Sequence, residues 1–182
     1  MNRPSRAADP MILVCYDGST DAQAAIDRVG GLMPGAQATV LVIWETILET
    51  MTRNGSLGMG LGLAGGFDDD ARADAAIKQA ALDTAAEGAQ RATAAGLLGQ
   101  PRIESRDGDI ASAILNAAAD VDADVVVLGT RGLGGVKSMM LGSVSHAVLH
   151  HADRAVLVVP SEQLAEQRHR FTDHAGVAAG AR

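Results

Sequence analysis

The stretch Val125–Ser145, VVVLGTRGLGGVKSMMLGSVS, decides how this chain is read. Val125 to Leu128 is a short unbroken apolar run, as expected of a strand buried on both faces. A glycine-rich segment follows, and beyond it Val144, Ala147 and Val148 form an apolar stripe at helical spacing. Glycines stand at 129, 132 and 142, with Ser143 directly after the last. Glycine has no Cβ and tolerates positive φ, so backbone N–H groups in such a loop can approach a ligand closely. Ser143 holds the place of an N-cap, and a helix N-terminus carries unpaired donors suited to a phosphate. Strand, loop and helix in this order predict a nucleotide cradle.

Two other phosphate loops do not fit. A Walker loop ends in Gly-Lys-Ser/Thr, whereas Lys137 follows Val136. The dinucleotide fingerprint G-x-G-x-x-G is also missing, because Gly129, Gly132 and Gly134 run in the reverse order of spacing.

Outward from this stretch, apolar runs alternate with helical patterns. Met11–Tyr16 and Ala38–Trp44 read as buried strands, Arg102–Arg106 as a polar, weaker one, and Ala155–Val159 as a fifth strand stopped by Pro160. Between the first two, Thr20 and Gln23 have the spacing of a capping box, and Ala22, Ile26, Val29 and Met33 mark an inner helix face. Asp68–Asp70 place negative charge at the start of a long helix, where the dipole favours it. That helix carries Ile77, Ala81, Ala85, Gly88 and Ala92 on its inner side and closes at Gly96 and Gly99-Gln100-Pro101. Asp109 caps a further helix with Ile110, Ala113, Ile114 and Ala117 inward. Residues 1–10 are expected to be a disordered lead-in, 53–66 (RNGSLGMGLGLAGG) a mobile loop beside the site, and 161–182 a polar, mostly disordered tail with a helical turn near Leu164. Alternation of this kind predicts an α/β fold, a single doubly wound five-stranded parallel sheet with helices on both faces. Ligands of such sheets sit at the carboxyl ends of the strands, where strand order reverses.

Composition narrows the function classes. At 182 residues the chain suits one domain with a sizeable core. Acidic residues outnumber basic ones by 22 to 15, against a nucleic-acid partner. The single cysteine, Cys15, cannot close an intramolecular disulfide, which fits a reducing cytoplasm, and it reads as an inert small hydrophobe. No apolar run reaches membrane-spanning length, so no membrane partner is expected and a cytoplasmic location is. His146 and His150 are four residues apart, but no Glu follows His146 as in H-E-x-x-H and no third ligand is evident, so no metal centre is predicted there.

The spacing Gly129-x2-Gly132-x9-Gly142-Ser143 resembles the G-x2-G-x9-G-[ST] pattern of the ATP-binding members of the universal stress protein family. VCYDGS (Val14–Ser19), GDIASAILNAA and ADVVVLGTRGLGG are similar to that family as well, and the likeness spans residues 11–160. The resemblance implies a Rossmann-like, adenine nucleotide hydrolase-like sheet of order 3-2-1-4-5. It implies Asp17 at the ribose or metal-phosphate end, and Ile43 against adenine partly through its backbone. Gly129 and Gly132 would wrap the ribose and phosphates, while Gly142, Ser143 and the N–H groups of Val144 and Ser145 would hold the distal phosphates. Arg131 and Lys137 are the cations near the loop. ATP with Mg2+ is the expected ligand, and a role in stress response through nucleotide-dependent contacts is the expected function. A slow ATP hydrolase remains open, although no dedicated base is visible, and so does a cyclic AMP-binding protein. In the implied order the fifth strand is an edge without an interior charge, and such edges pair with other chains. A homodimer through Ala155–Val159 is therefore expected.

Overall fold

The computed structural model describes residues 10–46, 49–50, 67–106, 108–130, 132 and 141–166. Five strands, β1 (Met11–Cys15), β2 (Gln37–Trp44), β3 (Leu98–Ser105), β4 (Val125–Gly129) and β5 (Ala155–Val159), form one sheet in the order β3-β2-β1-β4-β5. Every neighbouring pair is parallel. Among the described residues, helices α1 (Thr20–Leu32), α2 (Phe67–Ala94), α3 (Ile110–Asp120) and α4 (Ser143–His151) connect them. A further helical turn at 162–166 brings Leu164 into the interior.

Period-two alternation along the strands divides the core between the two faces. Ile12, Val14, Tyr16, Val40 and Val127 lie with the inward residues of α1 and α2, while Leu13, Leu41, Val126 and Leu128 lie with those of α3 and α4. Helix α2 approaches the sheet through small residues, Ala81, Ala85, Ala89 and Ala92. At Gly88 a Cβ would stand 2.7 Å from the Tyr16 ring and 2.8 Å from Val40, so any larger residue there would push the helix away.

The ends of several elements differ from the sequence expectation. Helix α1 is capped by Ser19, whose hydroxyl accepts from Ala22 N at 3.3 Å, and not by Thr20. Gln23 sends its side-chain amide to Gly18 O at 3.1 Å instead of closing a box with Thr20. Thr20 and Ser19 both suit an N-cap, and the turn at Asp17, which accepts from Ser19 N at 3.0 Å, selects Ser19. Strand β3 begins at Leu98 and includes Gly99-Gln100-Pro101, which the sequence reading placed at a helix end. Proline is tolerated because β3 is an edge strand, where a missing N–H can face outward from the ladder. Asp109 caps α3 as expected, accepting from Ser112 N at 3.0 Å.

Candidate functional site

The reversal of strand order falls between β1 and β4: from β1 the chain winds outward to β2 and β3, and from β4 to β5. The register Val14↔Val127 sets the carboxyl ends of both strands side by side. Asp17 follows β1, and Gly129 closes β4.

Two glycines of the loop are close-approach positions. A Cβ on Gly129 would meet Asp21 C and Cβ at 2.8 Å and Ala22 N at 3.0 Å, so its hydrogen lets the first turn of α1 rest on the end of β4. A Cβ on Gly132 would stand 2.5 Å from Asp17 Oδ2. Neither Gly129 nor Gly142 needs positive φ: the first lies in a strand and the second has φ −60°. Gly142 has that φ because it, and not Ser143, is the N-cap of α4. Ser143 is the first helical residue, and no side chain caps the helix. The first intrahelical donor is His146 N, to Gly142 O at 2.9 Å, so the N–H groups of Ser143, Val144 and Ser145 precede the helical ladder.

The loop is braced to the sheet from below. Thr130 N donates to Val159 O and Gly142 N donates to Thr130 O, each at 2.9 Å. The buried Ser145 hydroxyl donates to Gly129 O at 2.9 Å. The Ser145 side chain is thus engaged within the fold, and its main chain is what remains at the start of α4.

At the second strand, Tyr16 N donates to Leu41 O at 2.8 Å, the last bond between β1 and β2. Ile43 has the same orientation two residues further on, so its N–H and C=O face the crevice past the end of β1. Its half-buried side chain packs with the α3/α4 face. Next to it Trp44 turns its carbonyl to Arg106 N at 2.7 Å, and Lys78 Nζ stands 5.8 Å from the Trp44 ring centroid.

The crevice therefore brings together Asp17, Gly129 and Gly132 and carries Gly142, Ser143, Val144 and Ser145 along one rim, with the Ile43 main chain at the end of β2. Arg131, Lys137 and the segment 53–66 lie outside the described residues. Thr130, buried between the two described parts of the loop, has no place in the sequence reading. The signal was its parity with the inward-facing Val126 and Leu128. Thr46 and Glu49 were missed too: Thr46 N donates to Glu49 Oε2 at 2.7 Å and Glu49 N to Thr46 Oγ1 at 3.2 Å, a reciprocal capping box just after β2.

Cys15, beside Asp17, is not a reactive group. Desolvation first, and the Asp17 charge second, push its thiol up to about 12. Thiolate is the nucleophilic form, so the thiol is inert near neutrality. The exposed His146 and His150 rings stack 6.4 Å apart, but no group of three or more side chains among the described residues could hold a metal ion.

A family model described as the universal stress protein family matches residues 11–160. The chain belongs to that family. Among curated members, a universal stress protein of Thermus aquaticus, named for its position 3′ of a QAH/OAS sulfhydrylase, is 35% identical over 153 residues, covering 81% of this chain and 96% of the relative. Universal stress protein YxiE of Bacillus subtilis is 30% identical over 151 residues, with 81% and 97% covered. The fold is that of solved family members. A universal stress protein family structure from Burkholderia pseudomallei matches with a TM-score of 0.60 at 23% identity, covering 84% of this chain and 96% of that one. A universal stress protein solved in complex with cAMP matches at 0.53 and 24% identity, with 84% and 98% covered. The family member from Archaeoglobus fulgidus solved in complex with dAMP matches at 0.53 and 17%, with the same coverage. No helix among the described residues is long and apolar enough to cross a membrane.

Proposed function

We propose that this universal stress protein binds an adenine nucleotide, ATP with Mg2+, in the crevice between β1 and β4, and acts in stress response through contacts that depend on the bound nucleotide. The observation that carries the reading is the N-terminus of α4. Its N-cap is a glycine with no capping side chain, so the first-turn amides are left for an anion at the switch point of the sheet. Asp17, Gly129, Gly132, Gly142 and the N–H groups of Ser143, Val144 and Ser145 line the phosphate and ribose end, and the Ile43 main chain faces the base. Arg131 adds the cation that the sequence supplies next to Gly132. Mg2+ commonly takes one or two carboxylates with substrate phosphates and waters. Asp17 fits that role as a carboxylate beside the phosphate path, and the metal would add charge neutralisation there.

Relatives solved with cAMP and dAMP support adenine recognition in this fold. They also keep a cyclic-nucleotide reading in play, since cAMP has a single phosphate and makes fewer demands on the α4 terminus. Mass spectrometry of small molecules released from protein purified without added nucleotide identifies the ligand. Calorimetry with ATP, ADP and cAMP then ranks the three, and no heat from any of them defeats the proposal.

The same reading includes a homodimer. Strand β5 is an edge of the sheet, with Val156, Leu157 and Val158 half-buried and no charge among them. A second copy pairing along it would satisfy its outward backbone groups.

A further inference from the structure

Three of the chain's five histidines stand on one helix. His146, His150 and His151 are exposed on α4, and the nucleotide reading, which uses only the first-turn amides of that helix, gives them no task. The helix dipole accounts for His150 and His151, since both lie in the last turn, where a cation is favoured. It gives no reason for His146, which lies a turn earlier, toward the positive end.

What His146 has is His150. Residues four apart share a helix face, and the two ring planes are inclined by only 25°, with centroids 6.4 Å apart. Among the described residues no hydrogen bond or ion pair occupies either ring. His151 stands about 100° further round the helix and meets His150 edge-on. A closed metal centre of three or four protein ligands does not exist among the described residues. Two imidazoles at i and i+4 make a smaller device, a chelate in which water fills the other positions, and this is the spacing at which paired histidines of a metal-binding helix reach one ion. An ion about 2 Å from a ring nitrogen stands about 3 Å from that ring's centre, so two rings share an ion when their centres lie within roughly 6 Å. A small rotation closes the 6.4 Å separation, and exposure leaves both side chains room to make it.

We infer that His146 and His150 form a two-imidazole site for a divalent transition-metal ion on the exposed face of α4. Imidazole nitrogen suits Cu2+, Ni2+ and Zn2+, whereas Mg2+ and Ca2+ seek oxygen, and of the three Cu2+ binds tightest. The site is therefore separate in place and in chemistry from the Mg2+ proposed at Asp17, and it stands or falls without the nucleotide. An ion held there spans one turn of α4, the helix whose first residues form a rim of the crevice.

Calorimetry with Cu2+ on the full chain, without nucleotide, tests this. His146→Gln and His150→Gln each remove one imidazole from an exposed helix position and keep a good helix former. Wild type is expected to bind Cu2+, and each variant to bind it at least roughly tenfold more weakly, the least that losing even an indirect partner of a metal costs. His151→Gln, with the same chemistry on another side of the helix, is expected to bind as wild type does. So is the double variant His169→Gln/His174→Gln, which removes the remaining histidines. Unchanged Cu2+ affinity in either His146→Gln or His150→Gln overturns the inference. A loss in His151→Gln or in the double variant as large as that in His150→Gln overturns it too, because the ion is then held elsewhere. A wild type that binds no Cu2+ ends it, and leaves the nucleotide reading untouched.

Discussion

Gly132 lies so close to Asp17 that a Cβ on the glycine would stand 2.5 Å from Oδ2 of the carboxylate. The other carboxylate oxygen, Oδ1, accepts from Ser19 N at 3.0 Å, so Asp17 is fixed on one side by the turn that starts α1 and on the other by the loop after β4. Two segments from opposite ends of the sequence thus meet at one side chain.

Gly132→Ala is expected to displace the Asp17 carboxylate and to lower nucleotide affinity by roughly tenfold or more, the scale set by a lost charged hydrogen bond. The exposed position of Gly132 leaves room for the loop to give, so the melting temperature should hardly move. Paired calorimetry and thermal unfolding check this; a large loss of stability with unchanged affinity would contradict it.

Gly129→Ala should behave in the opposite way. The new methyl would press on Asp21 and the Ala22 amide, which belong to a helix backbone that cannot rotate aside. Overpacking of this kind costs about 1–3 kcal/mol. Urea unfolding of the nucleotide-free variant measures it.

Tyr16 predicts an alkaline limit. Burial first, then the hydrogen bond to Glu87 at 2.8 Å, push its hydroxyl up to about 12 from 10.0. A folded-state value above the unfolded one means that this contribution is complete below pH 10 and is lost as pH rises from 10 through about 12. Cys15, raised from 9.0 to about 12, acts in the same direction from pH 9 upward. Tyr16→Phe should flatten the fall in denaturation midpoint above pH 10, and a thiol reagent at pH 8 should label Cys15 only after unfolding.

Arg154 is a buried brace. Its side chain is 6% exposed, and Nη1 donates to Ala118 O at 2.7 Å and Ala123 O at 3.0 Å, tying the end of α3 to the turn before β5. Arg154→Ala leaves two carbonyls without their charged donor and is expected to cost about 2–4 kcal/mol. Lysine cannot reproduce the forked geometry, so Arg154→Lys should recover only part of that in denaturant melts.

Val158→Pro tests the dimer. Since Val159 O accepts from Thr130 N, residues of the same parity face β4, and the Val158 N–H faces outward along the free edge. Proline there removes an outward donor and leaves the β4 ladder intact. Sedimentation should show wild type as a dimer and the variant as a monomer of near-native melting temperature; a monomeric wild type at micromolar concentration ends the dimer reading.

Much of the fold was legible because buried parallel strands and amphipathic helices write themselves as apolar runs and helical stripes. Met11–Cys15, Val125–Leu128 and Ala155–Val159 needed nothing else. Element ends were less legible. Ser19 and Thr20 are equally good caps in isolation, and Pro101 looked like a break because the sequence does not show that β3 is an edge. The expected strand order came from resemblance to a family, since adjacency in a sheet is not a local property, and the structure has that order.

Local chemistry alone determined that this chain is a wound parallel sheet with a glycine loop poised before a helix. Hydrophobic period and glycine spacing are properties of neighbouring residues, so they can be read without coordinates. Only the tertiary structure decided that Gly142 and not Ser143 caps α4, that the Ser145 hydroxyl is held by Gly129 O, that Gly132 lies against Asp17, and that Thr130 is buried with no partner for its hydroxyl among the described residues. Each depends on which distant backbone group arrives at hydrogen-bonding distance, and that is set by the packing of whole helices on the sheet.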